Sequence, residues 1–244
     1  MLAMLAIFDI FLHIPILFYA GIILAFIVIL AWGSADIRSG LYCRTLCIGD
    51  MKKRSIALTF DDGPDKAVTP ALLDILKKEG ISAAFFCIGK KAEANPDLLG
   101  RMDKEGHVVG GHSYSHHFFF DLFSRKRMTE EMQMTEDAIS KSINRIIRMF
   151  RPPYGVTNPA LASALGRKKY YVIGWSLRSK DTVTEDENLL LGRVTGKLKP
   201  GDIILFHDTK SHMVNVLEKF IKFAKENDFR FERLDKHLGI EAYE

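Results

Sequence analysis

The sequence predicts an α/β domain built on a parallel sheet or barrel, preceded by a single membrane-spanning helix. Three observations carry this. From residue 53 onward, strand-like and helix-like stretches alternate with no hairpin signal between them, the pattern of repeated β-α units. The run from Ile14 to Trp32 contains no charged side chain. Aspartates, histidines and an arginine fall just after predicted strands, where a β/α barrel gathers its active-site residues on one face. The 244 residues suit one such domain with an appendage. A composition of 48% hydrophobic and 26% charged residues favours a packed core over disorder. The net charge of +4, from 34 basic and 30 acidic residues, is too small for a nucleic-acid-binding stripe.

Residues 1–34 read as a membrane anchor, 35–52 as a linker and 53–244 as the catalytic domain. As helix, the uncharged run nearly crosses a hydrocarbon core of about 30 Å. Pro15 sits at its start, where a helix tolerates proline, and Trp32 and Tyr42 lie towards its exit as interfacial aromatics do. A cleaved signal would carry basic residues before the apolar run and a small-residue site after it. The first is missing, and Gly33-Ser34-Ala35 is a weak form of the second. Arg38, Arg44, Lys52, Lys53 and Arg54 follow the span, a bias towards a cytoplasmic domain. Three cysteines do not make a disulfide framework. Cys87 reads as a core residue, and Cys43 and Cys47 as linker residues.

The elements follow in order. Ser55–Phe60 is the first predicted strand, stopped by Gly63-Pro64. Thr69-Pro70 caps and opens a predicted helix to Glu79, closed by Gly80. Ala83–Ile88 is the next apolar strand. Asn95-Pro96 opens a helix that Gly106 closes, ahead of a short strand at His107–Val109. Thr129 is expected to begin a long helix to Arg148, with Met132, Ala138, Ile139, Ile143 and Ile146 at helical spacing. After Met149–Arg151 come a helix from Asn158 to Leu165 and a strand at Tyr170–Trp175. A helix over Glu185–Leu198, a strand over Asp202–Phe206, a helix over Met213–Asn227 and a strand over Phe229–Leu234 complete the expected set.

Chemistry concentrates in four places. Asp61 and Asp62 stand together at the mouth of a strand, where like charges repel. Alternation along the strand lets one bind a cation while the other handles a proton. The same Asp-Asp-Gly-Pro is also good turn chemistry, so the segment alone leaves both readings open. His112-Ser113-Tyr114-Ser115-His116 sets two imidazoles four apart. With one carboxylate they make a ligand set for zinc or another divalent ion, with positions left for water and substrate. His117 is one residue too far along to join them. In Arg151-Pro152-Pro153-Tyr154-Gly155 the prolines have no N–H, so Tyr154 carries the first free donor on a stiff loop, suited to an oxyanion. Arg151 can pair with Asp61. The strand ending at His207 delivers to the same rim an imidazole fit to protonate a leaving amine.

Thr59–Pro64, His112–His116, Arg151–Gly155 and Leu205–His207 match, in order, four motifs of the NodB-type polysaccharide deacetylases, carbohydrate esterase family 4. Residues 53–235 resemble that family throughout. The resemblance implies a distorted, incomplete (β/α) barrel of the NodB type. It implies Asp62, His112 and His116 as metal ligands, Asp61 as catalytic base with Arg151 as its partner, and His207 as general acid. The Tyr154 N–H would serve the oxyanion and Leu205 would line the acetyl-methyl pocket. A remaining family motif often reads Asp-x-x-Asp-Trp, where this chain has Arg178-Ser179-Lys180-Asp181-Thr182. The missing first acid is expected to support the general-acid histidine, which leaves that part to Asp181 or Asp202. Trp175 either replaces the missing aromatic wall or belongs to the core.

The implied activity is metal-dependent, with zinc as the expected ion. It removes N-acetyl groups from N-acetylglucosamine-containing polysaccharide or oligosaccharide, peptidoglycan or chitin-like. O-acetyl removal at the same site and a carbohydrate-binding pseudoenzyme are the alternatives. The implied partners are the N-acetylated glycan and the membrane, with no nucleic acid. Such a substrate places the domain on the outer face of the cytoplasmic membrane, against the charge bias.

Overall fold

The computed structural model describes residues 15–168 and 170–244. Residues 10–14, where the apolar run begins, lie outside them. Among the described residues nine strands follow one another: β1 (Thr45–Leu46), β2 (Ser55–Asp61), β3 (Ala84–Cys87), β4 (Val108–Gly111), β5 (Met149–Phe150), β6 (Tyr171–Ile173), β7 (Leu177–Arg178), β8 (Ile203–His207) and β9 (Arg230–Phe231). Their order in the sheet is β1-β6-β5-β4-β3-β2-β8-β7, with β9 paired to the start of β2. Every strand pair is parallel. The end strands β1 and β7 do not pair with each other among the described residues, so the sheet curls into an incomplete barrel.

β2 shows how the pleat positions the site. Ile56, Leu58 and Phe60 turn outward into the large cluster under the helices. Ala57 turns inward to a second cluster with Ala84, Phe86, Val108, Met149, Ile173 and Ile203. With a side-chain period of two, Thr59 and Asp61 share that inner face, and Asp61 arrives at the carboxyl end of the barrel. The outer layer is closed by amphipathic helices. In Met213–Glu226, Met213, Val216, Leu217, Phe220, Ile221 and Ala224 are buried at spacings of three and four. Each large side chain so buried contributes about 1.5–3 kcal/mol.

Several boundaries differ from expectation for identifiable reasons. The long helix runs Arg125–Ile143, not Thr129–Arg148. Ser124 caps it by accepting from the Arg127 N–H, and Asn144 ends it with a left-handed φ of 55°. Ile146, counted on its apolar face, is exposed beyond that end. Thr69 caps nothing: its hydroxyl donates to Asp208 Oδ2 at 2.6 Å. The final predicted strand shortens to β9 and gives way to a helix at Leu234–Leu238. The stretch read as a linker carries β1, buries Ile37 and bonds Gly49 N–H to the Gly201 carbonyl, so it packs on the sheet. Cys43 and Cys47 are free and partly buried there, and Cys87 is fully buried in the core.

Among the described residues one helix, Ile16–Ala35, with a mean hydropathy of 2.6, is long and apolar enough to cross a membrane. Its last turn is tied to the domain. The Thr157 N–H and hydroxyl donate to the Ser34 and Gly33 carbonyls at 3.1 and 3.3 Å, and the Tyr42 hydroxyl donates to the Leu30 carbonyl at 3.2 Å.

Candidate active site

A cavity of about 200 Å³ opens at the carboxyl ends of the strands, lined by Asp61, Asp62, His112, His116, Tyr154, Gly155, Trp175, Arg178, Thr182, Leu205 and His207. Backbone in the left-handed region concentrates around it. Of seven non-glycine residues with positive φ among those described, Asp62, Ser113, His116 and Tyr154 belong to the site loops. Such conformations cost free energy and persist where the surroundings over-determine them.

Asp62, His112 and His116 each bring a ligand atom within 4.8 Å of the others. His112 Nε2 and His116 Nε2 lie 3.4 and 3.3 Å from Asp62 Oδ1. That oxygen is buried without a hydrogen-bond partner. His112 donates Nδ1–H to the Arg151 carbonyl at 2.8 Å, so its Nε2 presents a lone pair to the carboxylate. Two acceptors facing each other at this distance are unfavourable unless a cation or a proton lies between them. Burial and the neighbouring His112 hold the His116 pKa below its ordinary value, which keeps that imidazole neutral as a ligand must be. Burial opposes ionisation of Asp62, and positive charge beside it, whether on protonated His112, His116 and His207 or on a cation among them, holds its carboxyl far below the usual range. The donor set therefore fits a divalent ion.

Two ion pairs flank this cluster. Arg151 is fully buried and its guanidinium donates to Asp61 Oδ1 at 2.7 Å, Thr59 Oγ1 at 2.8 Å, the Gly174 carbonyl at 2.9 Å and the Ile173 carbonyl at 3.2 Å. The Phe86 ring lies 4.1 Å below it. Four of its five N–H donors are so committed and the side chain is fully buried, so Arg151 orients Asp61 rather than contacting the cavity itself. On the other side, His207 Nδ1–H donates to Asp181 Oδ1 at 2.7 Å, and the His207 N–H donates to Asp181 Oδ2 at 2.7 Å. His207 Nε2 faces the cluster, 4.0 Å from Asp62 Oδ2. Burial alone would lower its pKa, but the Asp181 hydrogen bond and charge outweigh that and raise it.

Of the two acids left to support the histidine, the structure brings Asp181 to it. The retained Asp181 holds both His207 groups, and Arg178 is exposed at the cavity lip with its guanidinium 5.6 Å from the Trp175 ring. Asp202 instead accepts from the Ser176 hydroxyl at 2.7 Å and the Lys199 N–H at 2.7 Å. Trp175 lines the cavity and packs on Gly155, where a Cβ would lie 2.4 Å from its ring, so the φ of +73° is matched by a steric need for glycine. In the proline loop the turn bonds close on Gly155 and Val156, leaving the Tyr154 N–H outside them. Leu205 lines the cavity floor, and His117 is turned away, accepting from the Phe119 N–H at 3.0 Å.

Three supporting residues had weak sequence signals. Glu131 accepts from the Tyr114 N–H, the Ser115 N–H and the Ser115 hydroxyl at 3.0, 2.8 and 2.8 Å, which pins the loop between the two histidines. Its signal is an acid on the buried face of a helix beside Met128 and Met132. Lys91 donates to the Asp62 carbonyl at 2.7 Å. Asp208 is buried behind the aspartate turn, where burial pushes its carboxyl up to about 7. A Cβ on Gly63 would lie 2.0 Å from Asp208 Oδ2, which is why glycine follows Asp62.

A polysaccharide deacetylase family model matches residues 48–173, more than half of the chain. A peptidoglycan-N-acetylglucosamine deacetylase of Bacillus cereus is 32% identical over 187 residues, covering 75% of this chain and 68% of that protein. Among solved structures, a peptidoglycan N-acetylglucosamine deacetylase superposes with a TM-score of 0.77 at 30% identity, over 81% of this chain and 94% of that one. A pseudoenzyme of carbohydrate esterase family 4 from Bacillus anthracis superposes with a TM-score of 0.73 at 25% identity, over 80% and 68% of the two chains. With matches of this extent on the barrel and its aspartate and histidine loops, the chain belongs to the polysaccharide deacetylase family, carbohydrate esterase family 4.

Proposed function

We propose that this protein is a metal-dependent deacetylase that hydrolyses N-acetyl groups on N-acetylglucosamine-containing polysaccharide such as peptidoglycan. The observation that carries the reading is the orphaned Asp62 Oδ1 between two imidazoles, with an Arg151–Asp61 pair on one side and an Asp181–His207 pair on the other. Asp62, His112 and His116 would hold the ion, expected to be zinc. When bound, such an ion acidifies water and polarises a carbonyl.

The chain's own residues do the rest. Asp61, held by Arg151, accepts a proton from the water that attacks the acetamide carbon. The Tyr154 N–H donates to the oxygen that gains negative charge. His207 gives its Nε2 proton to the departing sugar nitrogen as the C–N bond breaks, leaving acetate and a free amine. Arg151 and Asp181 act through Asp61 and His207 and are positioning residues. Leu205 sits where it can pack against the acetyl methyl, and Trp175 walls the sugar.

Acetate release from N-acetylglucosamine oligomers tests this directly. It should vanish with a chelator, return with zinc and fall about 10²–10⁴-fold in Asp61→Asn. Glycan binding without acetate release at saturating zinc would instead mark a pseudoenzyme.

The helix Ile16–Ala35 is proposed as a single membrane span with the domain on the outer face. Twenty helical residues rise about 30 Å, and the glycan substrate lies outside. An enzyme reporter fused to the carboxyl terminus, active only in the outer compartment, checks the orientation.

A further inference from the structure

Beside the catalytic cavity lies an apolar surface that the chemistry does not use. Phe118, Phe119 and Leu122 are 73, 53 and 75% exposed, on a short turn just after His116, the last of the three candidate metal ligands. The Phe118 ring stands 4.9 Å from Phe119 and 6.3 Å from Tyr154, so the patch reaches the rim of the cavity. Next in the chain come Arg125, Lys126 and Arg127, all exposed. Arg127 lies 3.5 Å over the Phe123 ring, and Glu130 is 3.9 Å from Lys126. Large aromatic and aliphatic side chains at a tip, with basic residues beside them, suit the boundary between acyl chains and anionic headgroups.

What selects a bilayer as the occupant is where this turn is tethered. Asn158 donates its side-chain amide to the Asp121 carbonyl at 2.6 Å. Thr157, the adjacent residue, makes both hydrogen bonds to the last turn of the helix Ile16–Ala35. The exposed turn and the exit of the apolar helix are thus bonded to consecutive residues of one loop. Where that helix leaves the membrane, the turn is at the membrane surface.

We infer that the turn carrying Phe118, Phe119 and Leu122, with Arg125, Lys126 and Arg127, is a second membrane contact that seats the catalytic mouth against an anionic lipid surface. The inference rests on the reading of the helix Ile16–Ala35 as a membrane span. It restricts the substrate to glycan within reach of the bilayer, since the Tyr154 side of the cavity opens beside the contact.

The test uses the full chain, carrying Cys43→Ser and Cys47→Ser, reconstituted into vesicles of phosphatidylcholine with phosphatidylglycerol and shallow nitroxide-labelled lipid. A fluorophore is attached at Phe118→Cys, at Leu122→Cys, or at Lys53→Cys ahead of β2, at the opposite end of that strand from Asp61. Quenching should be at least about twofold greater at 118 and 122 than at 53. It should fall when Arg125, Lys126 and Arg127 are changed to Gln or when phosphatidylglycerol is omitted. Carbonate-resistant association with no excess quenching at 118 and 122 overturns the contact while leaving the anchor intact. That outcome gives the patch to glycan or protein. A chain that carbonate strips from the vesicles removes the anchor, and the contact with it.

Discussion

Two polar clusters stand at opposite ends of β2, and each contains an acid and histidine. At the carboxyl end, Asp62 Oδ1 has no hydrogen-bond partner and two imidazoles face it. At the amino end, the Ser55 hydroxyl donates to Glu232 Oε2 at 3.1 Å, and His237 Nδ1 lies 3.2 Å from the same oxygen and 3.4 Å from Ser55. Serine, histidine and acid in one place suggest a nucleophile, but the bonding excludes it. His237 Nε2–H donates to the Gly201 carbonyl at 3.0 Å, and its Nδ1 is shared by Ser55 and Glu232. The Ser55 proton is already given to Glu232, and the ring is fixed by the Gly201 carbonyl, so the serine is held as a tie rather than aimed at a base. A Cβ on Gly49 would lie 2.3 Å from His237, so the ring also wedges the amino-terminal segment onto the sheet. At the carboxyl end an Asp62 oxygen faces two imidazoles with no hydrogen bond, whereas at the amino end serine, acid and ring are bonded to one another and to the Gly201 carbonyl. Unsatisfied hydrogen-bonding capacity at a cavity, rather than residue type, separates a site from a clamp.

Substitutions at the two ends should therefore diverge. The largest expected effect is from Asp62→Ala, which removes the oxygen shared by both imidazoles. Deacetylation should drop at least about a thousandfold and not recover with added zinc, whereas zinc restores the chelated wild type. A drop that excess zinc reverses would show that the two histidines suffice. Next is Asp181→Asn, with an expected loss of about 10–100-fold. Its pH profile is the sharper readout. Asp181 raises the His207 pKa, so losing it should let the acid form disappear at lower pH, moving the alkaline limb of kcat/KM downward. An unmoved limb would take His207 out of the general-acid role.

His237→Ala should leave kcat/KM within about twofold of wild type. Its cost falls on stability, about 1–3 kcal/mol, because a buried ring is lost and the Gly201 carbonyl keeps only one of its two donors, the Gly49 N–H. Urea unfolding of the full chain in detergent measures it, and a large catalytic defect with unchanged stability would erase the distinction between the two ends. As a scale for the core, Leu217→Ala, fully buried in the helix Met213–Glu226, should destabilise by about 2–5 kcal/mol without touching the site.

The four motif segments were legible because each is local, confined to six consecutive residues or fewer. The alternation of apolar runs likewise made the parallel architecture readable, since crossover units leave few other ways to bury both faces of the strands. What escaped was held by distant partners. β1 and β7 are two residues each, too short for any periodic signal, and exist only because β6 and β8 supply their bonds. Thr69 looked like a cap because residues near it in sequence suggest one, while its hydroxyl is claimed by Asp208, 139 positions away.

The sequence by itself determined the β/α order, the apolar helix and the identity of the residues brought to the rim, because periodicity and punctuation are properties of neighbours along the chain. Only the tertiary structure decided which acid serves which histidine. Asp181 rather than Asp202 meets His207, since β7 lies beside β8 in the sheet and the turn after it carries the carboxylate to the end of that strand. Pairing between a carboxylate and an imidazole falls off within a few ångströms, and distance in space is set by the curl of the sheet, which no local pattern encodes.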